Sequence, residues 1–138
     1  MSNMKMTKMK LSLILLLAAT AAQAQLAVTV SPVKVAGQKV IVPLALTNQF
    51  NERIESARAA VFLLDKEGKM VGQSTRWVIG GSADKPGLAA GATNAFNFVV
   101  TAIKPITTTN LNARVIFSRV ILEGGKLADI SKAAEVRN

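Results

Sequence analysis

Apolar residues in this chain recur at every second position, in short runs broken by turn residues. "KVIVPLALTN" (39–48) sets Val40, Val42, Leu44 and Leu46 on one parity, and "ESARAAVFLLD" (55–65) does the same with Ala57, Ala59, Val61 and Leu63. "TNAFNFVVT" (93–101) repeats it with Phe96, Phe98 and Val100. A period of two sends successive side chains to opposite faces of an extended strand, so these runs read as strands with one buried face. "LAVTVSPVKV" (26–35) and "KMVGQSTRWVI" (69–79) read the same way. "LNARVIFSRVILEGG" (111–125) competes with a helix over 111–122, but its Val, Ile and Phe content favours strand.

The intervals carry turn chemistry. Gly37, "NQFNER", "GGSADKPGLAAGAT" and "AIKPITTTN" separate the runs, and "DKEG" (65–68) joins two of them directly as a β-hairpin with Gly68 free to take a positive φ. Pro32 interrupts the first run. Pro43 lies off the apolar parity and cannot donate to a ladder, which calls for an unpaired side or a bulge. "KLADI" reads as a short last strand and "SKAAEVRN" as a polar tail. About seven strands with no helical segment between them predict an all-β fold, an immunoglobulin-like antiparallel β-sandwich. A small closed barrel is the alternative.

The first 24 residues stand apart from this pattern. Lys5, Lys8 and Lys10 precede the apolar "LSLILLLAATAA", and "AQA" places small residues at −3 and −1 of a cut after Ala24. That is the layout of a secretory signal peptide, and the apolar run is short of the roughly 20 residues a membrane-spanning helix needs. The expected organisation is a cleaved leader at 1–24 and one β-sandwich domain at 25–138, periplasmic or secreted. No later run is long enough to span a membrane, and too few alternating segments remain for an eight-stranded outer-membrane barrel. The formal net charge is +9. Its cations are scattered singly beyond the leader, which argues against nucleic acid and leaves weak attraction to anionic envelope polymers or lipid heads.

The composition contains no Cys, no His and no Tyr. The fold has no disulfide to rely on, and the commonest general base, the strongest nucleophile and the soft metal ligands are missing. Asp65 and Glu67 belong to a turn. "SPVK" (31–34) matches the spacing of a serine–lysine catalyst, yet in an extended run Ser31 and Lys34 point to opposite faces. Neither "DKEG" nor "SADKPG" has the oxygen-ligand density of a calcium loop. The composition therefore points to a non-catalytic protein without cofactor or metal, with a hydrolase as the remote alternative.

Several of these elements resemble the FxLYD type of bacterial immunoglobulin-like domain. "LTN" (46–48), Leu63 and Asp65 in "VFLLD", Gly68 and "LAAGATNAFNF" (88–98) match its pattern over roughly residues 38–101. Val61 stands where that family has phenylalanine, Leu64 where it has tyrosine, and Ala90 where it has proline. The resemblance implies an immunoglobulin-like fold found across exported and surface-attached proteins, and it implies no catalytic residue.

Candidate contacts are therefore sought on the surface. Phe62 and Leu64 share the second face of their run with Arg58 and Ala60, where an exposed strip would mark a contact with an unknown protein or envelope polymer. The competing expectation is that the loop at 80–92 covers them. Strand addition at an open sheet edge is a second route to a partner. Trp77, the only tryptophan, shares its parity with Val71, Thr75 and Ile79 and is expected to cover the rim of the core. In the alternative reading Trp77 is the aromatic platform of a carbohydrate-binding module, joined by Phe50 or Phe62.

Overall fold

The computed structural model describes residues 25–129 and the strand backbone at 134–137; the expected leader at 1–24 lies outside the described residues. The strands are β1 (Leu26–Val30), β2 (Lys34–Ala36), β3 (Lys39–Asn48), β4 (Ile54–Leu64), β5 (Met70–Ile79), β6 (Thr93–Thr101), β7 (Asn112–Leu122) and β8 (Ala134–Arg137). A 3-10 turn at Glu123–Gly125 follows β7. The protein is all-β, as the alternation requires. Among the described residues no helix is long and apolar enough to cross a membrane.

Two sheets share one core. In the first, β3 pairs with β6 on one side and with β1 and β2, end to end, on the other. Pro32 makes the break between β1 and β2, and Ser31 N donates to Pro43 O at 3.0 Å across it. Pro43 therefore turns its missing donor toward the break between β1 and β2, so β3 keeps its full ladder to β6. β8 joins β1 in parallel, from Leu26↔Ala134 to Thr29↔Arg137. The sheet is thus not wholly antiparallel, and the polar tail supplies the last strand, whereas "KLADI" contributes one bridge, Ile121↔Leu127. Side-chain composition hid β8 because an added edge strand is held by main-chain bonds.

The second sheet is β5-β4-β7, antiparallel throughout. Asp65 and Gly68 close the β4–β5 hairpin: Asp65 Oδ1 accepts from Glu67 N and Lys69 N at 2.9 Å, and Gly68 adopts φ 82°. Leu26, Val28, Val40, Val42, Leu46, Phe98 and Val100 of the first sheet and Ala57, Ala59, Val61, Leu63 and Val120 of the second lie fully buried in one cluster. Burying each large aliphatic side chain contributes about 1.5–3 kcal/mol. At the β5–β6 side the sheets meet, with Ile103 N donating to Val71 O at 2.9 Å beside a Gly72↔Ala102 bridge. A Cβ on Gly72 would stand 3.2 Å from Ala102 Cα, and Arg76 reaches across to donate from Nε to Val99 O at 3.2 Å.

Candidate functional site

The outward face of the β5-β4-β7 sheet can be assembled row by row from its register. The rows are Trp77·Arg58·Arg119, then Thr75·Ala60·Ile116, then Gln73·Phe62·Arg114, then Met70·Leu64·Asn112. Rows on one face of a sheet lie about 7 Å apart along the strands. An apolar strip, Leu64–Phe62–Ala60, thus runs up the central strand, with Ile116 and Met70 beside it. Phe62 and Leu64 are half-buried, while Ile116 and Met70 are 49% and 44% exposed. Arg58, Arg114 and Arg119 are exposed around the strip, and these rows contain no carboxylate. Glu55 lies beyond them at the β4 start, where its Oε2 accepts from Gly124 N at 3.1 Å.

The 80–92 loop, whose cover of this strip was the competing expectation, goes elsewhere. Ile54 and Leu88 exchange backbone bonds of 2.9 and 2.8 Å, Gly80 N donates to Pro86 O at 3.2 Å, and Gly91 N donates to Asn48 O at 2.8 Å. The loop closes one end of the two sheets. Asn48, the buried polar residue of the core, anchors that end. Its Nδ2 donates to Glu52 O and Leu88 O, and its Oδ1 accepts from Phe50 N. It sits in the "LTN" element, but sequence reasoning gave it no role, because an Asn after a strand looks like ordinary turn chemistry. Lys85 in the same loop donates to Trp77 O at 3.0 Å and lies 4.9 Å from the Phe96 ring centroid.

Trp77 corrects an expectation. Parity placed it with Ile79 toward the core, yet it is half-buried on the outward face, opposite Arg58. The cause is a β-bulge: Arg58 pairs with Trp77 but Ala57 with Ile79, so Val78 is an extra residue and the parity changes across it. Val78 and Ile79 are both buried instead. The Arg58 guanidinium carbon lies 5.9 Å from the indole centroid. The glycine pair after the strand is required by close approach. Gly80 takes φ 61° against the Glu55 carbonyl, and Gly81 takes φ 90° where a Cβ would stand 2.4 Å from Trp77 Cγ. The indole is therefore clamped by the chain that follows it.

Arg58, Phe62, Leu64 and Trp77, singled out from sequence, share this one face. Missing from that set were Arg114, Ile116 and Arg119, which lie on a strand about 50 residues away and join them only through the β4–β7 register. Ser118 is a second bulge residue, since Arg58 pairs with Arg119 but Ala59 with Phe117. It puts Arg119 directly across from Arg58. Phe50, the other aromatic considered for a platform, packs against the core from the connection after β3.

The sequence matches no protein-family model, and no curated protein matches it. Among solved structures, the fold is similar to the crystal structure of a Bordetella pertussis protein provisionally named ApaA. The TM-score is 0.54 at 16% identity, covering 78% of this chain and 87% of that one. At that identity the likeness concerns the fold alone.

Proposed function

We propose that this protein is an exported, non-catalytic immunoglobulin-like module, periplasmic or secreted, that binds another protein through the outward face of its β5-β4-β7 sheet. The observation that carries the reading is the apolar strip of half-buried Phe62 and Leu64 and exposed Ile116, which the 80–92 loop leaves uncovered because it is spent on closing the end of the sandwich. The sheet membership supports the immunoglobulin-like part. β1, β3 and β6 stand as A, B and E strands do, and β5, β4 and β7 as C′, C and F, with the last strand moved from F to A.

The carbohydrate reading needs an indole face open to a sugar ring, whereas Trp77 is packed against Gly81 and carries Arg58 over its ring. A photo-crosslinker at Thr75, on the β5 side of the face, is expected to capture a discrete protein in the envelope of the producing cell. One at Thr101, on the other sheet, is not. Equal capture from both positions overturns the reading, and saturable glycan binding lost on Trp77→Ala replaces it with the carbohydrate one.

A further inference from the structure

Arg58 and Arg119 stand directly opposite each other on adjacent strands, an arrangement in which like charges repel. Neither is in an ion pair with the β4, β5 and β7 residues that share its row; Asp129 lies past Arg119 next to the Ile121↔Leu127 bridge, and the Lys126–Glu52 pair at 2.8 Å among the described residues lies elsewhere. A neutral residue at either place would remove the repulsion. Arg114 extends the same charge two rows further along β7. The four rows thus collect three guanidiniums and no carboxylate, interleaved with Phe62, Ala60, Leu64 and Ile116, while Glu55 at the start of β4 and Asp129 past Arg119 stand outside them. Guanidinium is the cation suited to planar, bidentate pairing with carboxylates, and it keeps its charge at every working pH.

From this charge and its interleaving with apolar side chains we infer that the partner of this face is an acidic protein surface, one that presents carboxylates to Arg58, Arg119 and Arg114 around an apolar contact on Phe62, Leu64 and Ile116. The inference rests on the reading of this face as a protein-binding one and names the chemistry of the partner. A polyanionic glycan or phosphate polymer would satisfy the guanidiniums but leave the strip wet. A basic partner would meet like charge. An acidic surface with exposed Leu or Val side chains satisfies both features. The Arg58 guanidinium beside Trp77 gives the site its own reporter, since a carboxylate arriving at Arg58 changes the surroundings of the protein's only indole.

The test is a fluorescence titration of the purified protein with a water-soluble glutamate–leucine copolymer, with heparin and with polyphosphate. The copolymer is expected to shift Trp77 emission saturably and to bind more tightly than either polyanion. Arg58→Gln/Arg119→Gln should weaken it by about tenfold or more, the loss of roughly one charge-assisted contact. Lys34→Gln/Lys39→Gln, which removes the same charge from the other sheet, should leave it unchanged. Absence of copolymer binding, tighter binding of heparin or polyphosphate, or equal effects of the two double variants each overturns the inference. The readings separate in the crosslinking experiment. Capture from Thr75 that survives Arg58→Gln/Arg119→Gln keeps the protein-binding reading and discards the acidic partner, and loss of capture from Thr75 in the unaltered protein discards both.

Discussion

The two faces of β4 both carry apolar side chains and have opposite fates. Ala57, Ala59, Val61 and Leu63 point inward and are fully buried. Arg58, Ala60, Phe62 and Leu64 alternate with them along the same backbone and are half-buried or exposed. The inward set is held by volume: two sheets stand about 10 Å apart, so small residues at 57 and 59 and larger ones at 61 and 63 fill space that other side chains leave. No such constraint acts outward. There a phenylalanine and a leucine stay partly wet, and two arginines face each other across a strand boundary. Stability does not account for the facing arginines, because a neutral residue at either place would end the repulsion.

The largest expected effect lies inside. Leu63→Ala should cost about 2–5 kcal/mol in denaturant unfolding, and Leu64→Ala, its neighbour on the other face, about 1 kcal/mol or less. Equal losses would erase the contrast between the faces and place Leu64 under cover.

Gly81→Ala comes next, at about 1–3 kcal/mol, because it combines a disfavoured φ of 90° with collision against the indole. Trp77→Ala should relieve the collision, so the double variant is expected to lose less than the two single losses added together. Strict additivity would mean that the ring is not clamped there. The same geometry predicts Trp77 emission intermediate between buried and solvated, with partial quenching by iodide. Full protection would return the ring to the core.

A smaller effect is expected on the outward face. Arg119→Gln should leave stability unchanged or raise it by about 0.2–1 kcal/mol at low salt, with the gain shrinking as salt rises. A loss of stability would show that Arg119 is held by the fold rather than kept for a partner.

The smallest effect concerns the end loop. The Ser82 hydroxyl donates to Asp84 Oδ1 at 2.7 Å, and with the Asp84 backbone and nearby Lys85 it holds this carboxyl below its ordinary value. A depressed carboxylate stabilises the fold above its unfolded pKa, and that contribution is lost as pH falls through the folded one. Ser82→Ala should move the Asp84 titration upward by NMR without a detectable change in melting temperature at neutral pH.

Much of the fold was legible because period-two patterning is a local signal: the inward residues of β3, β4 and β6 and the Asp65–Gly68 turn were all readable in short windows. Half of the candidate site was legible in the same way, since Arg58, Phe62 and Leu64 needed only the parity of β4. Trp77 was misplaced because parity counting assumes an unbroken ladder, and the Val78 bulge is imposed by pairing with β4.

Alternation, turn residues and composition by themselves determined that this chain forms strands, which side of most strands is buried, and that no thiol or imidazole chemistry is available to it. Tertiary structure alone decided that "AEVR" in the tail pairs with β1, that the 80–92 loop seals an end instead of a face, and that Arg119 and Arg114 join Arg58 beside an open apolar strip. The reason is physical. Side-chain periodicity records what one strand does with its own two faces, whereas which strands pair, where a bulge falls and which edge is extended depend on backbone bonds between segments far apart in the chain, which no short window contains.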